Sequence, residues 1–125
     1  MAALSLGGVL GALGRYAVAL ALPTPSGHWP MATFVVNIIG SFAMGVLVAY
    51  LVDRPGAHPL LRPFVGVGVL GGWTTYSSFA LEAVALAEQG NGGVAVAYVA
   101  GSFLIGIAAV AAGSAIGARW WPVRT

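Results

Sequence analysis

Four apolar stretches, each about as long as a membrane helix, constrain this chain more than any other feature. They are residues 2–22, 31–52, 63–87 and 94–118. A bilayer core requires roughly 20 apolar helical residues, and every stretch meets that length. Charged residues make up only 6% of the chain, against about 25% in soluble domains. The sequence therefore predicts an all-α membrane protein, with four transmembrane helices in a single domain, 1–125.

The linkers between the stretches are short and rich in residues that end helices. None is long enough to hold a soluble domain. The first stretch has no basic segment before it and no cleavage site after it, so we expect it to be retained as a helix. The breakers are, in chain order, Pro23, Pro25, Gly27, Pro30, Pro55, Gly56, Pro59, Gly90, Gly92 and Gly93.

Small residues recur four positions apart inside the stretches. This spacing lets helix backbones approach closely in lipid, so it predicts a tightly packed bundle. Four closely packed helices leave little room for a central pore, and a transport path would require an oligomer. The pairs are Gly7 and Gly11, Ser41 and Gly45, Ser102 and Gly106, and Gly113 and Gly117.

Arginine positions predict the orientation in the membrane. With four spans, both termini and the middle linker lie on one side, and that side holds Arg54, Arg62, Arg119 and Arg124. The other two linkers contain neither Arg nor Lys. Basic residues favour the cytoplasmic side, so we expect cytoplasmic termini in a multi-pass protein of the plasma or inner membrane.

The third stretch holds a run of hydroxyl side chains where apolar residues are expected. Gly71 and Gly72 precede Thr74-Thr75-Tyr76-Ser77-Ser78. Glycine weakens a helix, and Ser and Thr side chains compete for its backbone hydrogen bonds. We therefore expect the third helix to be broken near the bilayer centre, where freed backbone groups can coordinate ions. The alternative is that the hydroxyls bond back to their own helix.

Three further polar side chains lie within the stretches, and each is costly in lipid. Asn37 either donates to an anion or bonds a neighbouring helix. Arg15 either extends to the nearer surface or lines a vestibule that attracts anions. Glu82 has three alternatives: a pair with Arg15, a bond to a neighbouring hydroxyl, or a place near the membrane interface.

Tyr76 and Phe79 are three residues apart and share a face if their segment is helical. Aromatic ring edges carry partial positive charge and can face a small anion, although ordinary packing explains the same spacing. No pattern typical of an enzyme occurs: there is no Ser/His/Asp set and no pair of carboxylates within a stretch. The chain has no cysteine, and His28 and His58 lack metal-ligand spacing.

Four motifs carry a resemblance to a known family. They occur in order over nearly the whole chain, and the third is the specific one. The sequence resembles the CrcB/Fluc family of small fluoride channels. The motifs are Gly7-Gly8-x-x-Gly11-Ala12-x-x-Arg15-Tyr16, Thr33-x-x-x-Asn37-x-x-Gly40-Ser41-Phe42, Gly68-x-x-Gly71-Gly72-Trp73-Thr74-Thr75-Tyr76-Ser77-Ser78-Phe79-x-x-Glu82 and Tyr98-x-x-x-Ser102.

The resemblance implies an antiparallel dimer of four-helix subunits with two fluoride pores and a structural Na⁺ at its centre. The backbone carbonyls of Gly71 and Thr74 from both subunits would hold that sodium ion. The implied activity is passive export of fluoride from the cytoplasm, which lowers fluoride toxicity. The implied pore residues are Asn37 as a donor, Tyr76 and Phe79 through their ring edges, Ser77, Ser78 and Ser102 as a polar track, and Arg15 near the vestibule.

This sequence departs from the family pattern at Tyr76, where Phe is usual, at Ala32, where Gly is common, and at Gly106, where a hydroxyl often continues the track. Some family members form homodimers that insert both ways, whereas others are paired, oppositely oriented halves. The arginine count of four against zero favours one half of a heterodimer.

Two other functions stay open on sequence alone. One is a small proton-coupled exporter of multidrug type, which would require a carboxylate in its substrate path. The other is a non-conducting assembly subunit of the membrane.

Overall fold

The structure is a computed structural model that describes residues 1–52, 54 and 56–121. It is all-helical over those residues, with no strand among them. The elements are α1 (Ala2–Ala21), α2 (Met31–Leu51), the π-helix α3 (Arg62–Leu70), α4 (Gly71–Trp73), α5 (Tyr76–Glu88) and α6 (Gly92–Trp120).

Three helices of the described part are long and apolar enough to cross a membrane, namely α1, α2 and α6. The first two end within a residue of the bounds predicted from sequence, and α6 is longer than predicted at both ends. The predicted third stretch, 63–87, is divided among α3, α4 and α5. Each of these is too short to cross a bilayer core by itself.

The chain is extended between α4 and α5. Thr74 has φ −76° and ψ 159°, and Thr75 has φ −148° and ψ 119°. The Thr75 hydroxyl caps α5, because its Oγ1 accepts a hydrogen bond from the Ser78 backbone N–H at 3.2 Å. A threonine cap of this kind satisfies an amide that has no partner inside its own helix.

Glycine lets α1 lie directly against α3 and α4. A Cβ added at Gly7 would lie 3.0 Å from the Gly68 Cα, and one at Gly11 would lie 2.7 Å from the Trp73 amide nitrogen. The packing role predicted for the Gly7 and Gly11 pair is therefore confirmed. Because the contacting residue numbers rise together, α1 runs parallel to α3 and α4.

The same kind of contact joins α2 to α6. A Cβ added at Gly45 would lie 2.9 Å from the Ser114 amide nitrogen, and one at Gly113 would lie 3.1 Å from that of Val46. The Ser114 hydroxyl also donates to the Gly45 carbonyl at 3.3 Å. The residue numbers of the contacting residues increase together along α2 and α6, so these two helices are also parallel.

Helix α5 runs opposite to α2 and α6. Thr33 near the start of α2 bonds Glu82, whereas Asn37, one turn later, bonds the earlier Thr75. Residues 89–91 alone connect α5 to α6, so that pair is antiparallel as well. Helices α1 and α3–α5 therefore run one way, and α2 and α6 run the other.

This arrangement gathers charge at one end of the bundle. Arg54 follows α2, Arg62 begins α3 and Arg119 lies in the last turn of α6, so all three lie at the same end. Arg124, also assigned to this side by the sequence, lies outside the described residues. Many large apolar side chains are exposed along the helices, such as Leu81 and Leu104, whereas Val36 and Tyr98 are fully buried.

Candidate functional site

Two cavities of similar size lie on either side of the extended segment. The first, of about 420 Å³, lies between α2, α5 and α6. The second, of about 410 Å³, lies between α1, α2 and α5. Thr75 lines both cavities, and this residue is itself buried. The two spaces are therefore separated by the part of the chain that leaves the helical conformation.

Asn37 holds that separating segment in place. Its Nδ2 donates to the Thr75 carbonyl at 3.0 Å, and its Oδ1 accepts from the Thr75 N–H at 2.8 Å. One side-chain amide thus replaces the two backbone partners that Thr75 gives up by leaving the helix. Of the two roles open for Asn37, bonding a neighbouring element is present, and its side chain also lines the first cavity.

The two bonds to Asn37 and the cap also release backbone carbonyls. In a continuous α-helix the carbonyls of Gly71 and Thr74 would accept from the amides of Thr75 and Ser78. Those amides donate instead to Asn37 Oδ1 and to Thr75 Oγ1. Gly71 is exposed, and a Cβ added there would meet nothing within 4 Å. The two carbonyls named from the resemblance are thus among those that lose their helical donors at the interruption.

Hydroxyl groups follow the extended segment into α5. Thr75 Oγ1 lies 3.3 Å from Ser77 Oγ and donates to Ser78 Oγ at 3.1 Å. Ser78 lines the second cavity, whereas Ser77 is exposed and lines neither of the two. Thr74 bonds back to its own helix, since its hydroxyl donates to the Leu70 carbonyl at 3.0 Å.

The first cavity combines aromatic rings with polar groups. The Tyr76 and Phe79 ring centroids are 6.0 Å apart, as their helical spacing predicts. Phe79 is only 8% exposed, whereas Tyr76 is 77% exposed. Phe79 meets Phe103 edge to face at 5.9 Å. The Ser102 hydroxyl also lines this cavity and is buried without a hydrogen-bond partner in the described residues.

The second cavity is charged. It is lined by Arg15, whose Nε donates to the Gly72 carbonyl at 3.2 Å, and by Glu82. The bond to Gly72 occupies one guanidinium N–H of five. Arg15 is therefore attached to the chain just before the interruption while its side chain lines the cavity.

Glu82 bonds hydroxyl groups, which was one of its three alternatives. It accepts from Thr33 Oγ1 and from the Tyr98 hydroxyl, each at 2.8 Å. Through these two hydrogen bonds, the Glu82 side chain joins α2, α5 and α6.

Sequence reasoning missed the central position of Thr75. Thr75 was one hydroxyl of a run, and nothing in the run singles out the residue that both caps α5 and meets Asn37. It also missed the role of Trp73, whose Nε1 donates to the Val36 carbonyl at 2.7 Å. That bond attaches the end of α4 to α2 and fixes where the interruption begins.

The predicted site residues thus divide between the cavities. The first is lined by Asn37, Tyr76, Phe79 and Ser102, and the second by Arg15 and Ser78. Within the described residues, no group of three or more His, Cys, Asp or Glu side chains is placed to hold a metal ion. A metal here would have to be held by other oxygens.

Comparison with known proteins gives one consistent result. A protein-family model described as "CrcB-like protein, Camphor Resistance (CrcB)" matches residues 2–114. The chain is 51% identical over 118 residues to "Fluoride-specific ion channel FluC 2" of Nocardia farcinica, covering 94% of this chain and 84% of that protein. It is 48% identical over 124 residues to "Fluoride-specific ion channel FluC" of Rhodospirillum centenum, covering 91% of each. The protein of that name from Paracoccus denitrificans is 44% identical over 113 residues, covering 90% of each.

Proposed function

Since this chain belongs to the CrcB family, we propose that it is a subunit of a fluoride-selective ion channel, through which fluoride leaves the cytoplasm passively. The relatives that resemble it over most of their length are named as fluoride-specific ion channels, and the chain is not an enzyme. One observation carries the proposal within this molecule: two cavities, each with polar groups among its lining residues, meet at the single residue Thr75.

Fluoride must exchange its water for hydrogen-bond donors along such a path. In the second cavity, the Arg15 guanidinium offers fluoride charged N–H donors beyond the one bonded to Gly72. The hydroxyls of Ser78 and Thr75 then lead toward the first cavity, where Asn37 Nδ2 keeps one N–H beyond the one given to Thr75. The unpartnered Ser102 hydroxyl is a further donor there.

Aromatic edges complete the path in the first cavity. Ring hydrogens carry partial positive charge, and a small unhydrated anion approaches them more closely than a large one. Phe79, which lines the first cavity, would present such a ring edge to fluoride. Tyr76 stands where the family usually has Phe, and its hydroxyl offers fluoride a donor in addition to the ring edge. Ser77, which lines neither cavity, would reach the path only next to a second subunit.

The proposed assembly is an antiparallel dimer in which α3, α4 and α5 together form the third of four spans. The parallel course of α1 and α3–α5 supports this, because alternating spans require it. The extended residues Thr74 and Thr75 would then lie near the bilayer centre. The three described arginines at one end support a cytoplasmic location for that end and one fixed orientation, as expected for half of a heterodimer.

A structural sodium ion at the dimer centre is also part of the proposal. Sodium is a hard cation that prefers oxygen ligands, as Mg²⁺ and Ca²⁺ do. The carbonyls of Gly71 and Thr74, whose helical donors bond elsewhere, fit that preference. A second subunit related by two-fold symmetry would supply the same pair. When bound, the ion would hold the two interrupted segments together.

Fluoride efflux from liposomes that contain this chain alone tests the function. Liposomes loaded with potassium fluoride are diluted into fluoride-free buffer, and efflux is read with a fluoride electrode. A channel moves charge, so efflux should begin only when valinomycin lets potassium follow, and chloride-loaded liposomes should stay closed.

No fluoride efflux together with proton-driven movement of a cationic dye would instead favour the multidrug-type exporter. A non-conducting assembly subunit would be favoured if folded protein gave no efflux, both alone and together with a homologue whose arginines lie on the opposite side of the membrane. Efflux only with the homologue would support the heterodimer.

A further inference from the structure

A groove between α2 and α3 has the shape and charge of a lipid site. Its volume is about 230 Å³. Its apolar lining residues on α2 follow one helix face, from Met44 through Leu47 to Leu51, and Val52 lines it just after the helix ends. Gly66 and Val67 form the wall on α3, and Arg62 is the charged residue among the described residues that line the groove. This groove shares no lining residue with either cavity of the proposed ion path.

The groove runs along the last two turns of α2. Met44 and Leu51 are seven residues apart on this helix, about 10 Å at the helical rise of 1.5 Å per residue. One leaflet of a bilayer core is roughly 15 Å deep. The groove therefore extends from the arginine-bearing end of the bundle over most of the depth of one leaflet, where it can hold part of a lipid acyl chain.

The charge at the mouth of the groove indicates which kind of lipid would bind there. Arg62 begins α3 at the end where Arg54 and Arg119 also lie. The Arg54 guanidinium lies over the rings of Tyr50, at 4.6 Å, and Trp121, at 5.9 Å, so it faces α6 and is not part of the groove lining. Arg62 thus supplies the positive charge at the mouth, where the headgroup of a lipid in the groove would lie.

From this combination we propose that the groove binds an anionic phospholipid, with one acyl chain against α2 and the headgroup phosphate at Arg62. A guanidinium binds phosphate through two parallel hydrogen bonds, and the cytoplasmic leaflet is the one rich in anionic lipid. Half-exposed Val48 and Val67 border the space that the chain fills. The proposal depends on the membrane-spanning arrangement and not on fluoride conduction.

Native mass spectrometry of the full chain, released from detergent with added phosphatidylglycerol or phosphatidylcholine, tests the proposal. We expect phosphatidylglycerol to bind about five-fold more tightly, which is what one Arg contributes near an anionic surface. Arg62→Gln should abolish that preference. Arg119→Gln, the same charge change at the same end of the bundle but on exposed α6, should retain it.

Two further variants examine the groove itself. Val67→Trp fills it without changing charge and should reduce binding of both lipids, whereas Val96→Trp on an exposed face of α6 should not. Equal effects of the two Arg variants, or of the two Trp variants, would overturn the proposal. So would efficient disulfide formation between copies carrying Val48→Cys in native membranes, because the groove would then face a second protein chain.

Discussion

Asn37 and Thr75 bond each other twice, through the Asn37 amide nitrogen and oxygen and the Thr75 backbone carbonyl and N–H, at 3.0 and 2.8 Å. The contact joins residues 38 positions apart. It replaces, with one side chain, the backbone hydrogen bonds that the interruption removes. Structure and proposed conduction therefore depend on the same amide.

Replacing Asn37 should harm stability and conduction together. Asn37→Ala leaves the Thr75 N–H and carbonyl unpaired in a buried position, at a cost of about 1–3 kcal/mol each. Asn37→Asp retains the acceptor but places a carboxylate beside the Thr75 carbonyl and on the anion path. Fluoride efflux from liposomes should fall about ten-fold or more in both. Asn91→Ala, a loop asparagine without a side-chain cap bond, is the control and should conduct normally.

Gly11→Ala should destabilise the bundle, whereas Gly8→Ala should not. A Cβ at Gly11 would collide with the Val69 carbonyl, while one at Gly8 meets nothing within 4 Å. Overpacking costs about 1–3 kcal/mol, and alanine otherwise favours a helix over glycine by about 1 kcal/mol. Thermal unfolding in detergent, followed by circular dichroism, compares the two. Equal losses would contradict direct backbone packing of α1 on α3 and α4.

Tyr98→Phe should cost more stability than Tyr16→Phe. The Tyr98 hydroxyl is fully buried and donates to Glu82, and its removal leaves the Glu82 oxygen without that donor, at a cost of about 1–3 kcal/mol. Tyr16 is 62% exposed, and removal of its hydroxyl should change stability by less than about 0.5 kcal/mol. The same unfolding assay measures both. Similar values would mean that the Glu82 cluster does not hold α5 and α6 together.

Single cysteines should report one orientation. The chain has no cysteine, so Thr24→Cys and His58→Cys each introduce a unique label site in the first and second linkers. A membrane-impermeant thiol reagent added to intact cells should label Thr24→Cys and leave His58→Cys unlabelled until lysis. Equal labelling of the two would show dual insertion and remove the argument for an obligate heterodimer.

Sodium removal should loosen the proposed dimer. An ion bound only by the folded assembly stabilises it in proportion to its saturation. Exchange of Na⁺ for N-methyl-D-glucamine at constant ionic strength should therefore lower the melting temperature of the channel, and restored Na⁺ should recover it. Potassium is the size control. An unchanged melting temperature in all three salts would contradict the proposal that a sodium ion stabilises the assembly.

The sequence predicted those features that depend on local composition. Helix bounds follow from apolar length and from breakers such as Pro30 and Gly90, because both act within a few residues. The glycine pairs predicted backbone contacts, since only Gly permits them. The extended pair Thr74 and Thr75 lies inside the hydroxyl run that was singled out, where local helix propensity is low.

Tertiary partners were not predictable in the same way. By its chemistry, the side-chain amide of Asn37 can bond equally well to an anion, to another helix or to an extended backbone segment. Only the antiparallel packing of α2 on α5 selects Thr75 as its partner. Glu82 is similar: its two hydroxyl donors come from α2 and α6, and three alternatives remained open until those helices were placed.

Because one residue separates the two cavities, the membrane voltage would be concentrated there. With water in both spaces, the electric field falls mainly across the narrow part of the protein between them. An anion passing Thr75 would cross most of the potential within a few ångströms, a change of about 2.3 kcal/mol per 100 mV. Substitutions at Thr75 should therefore alter how current depends on voltage, whereas those at Arg15 or Ser102 should alter mainly its size.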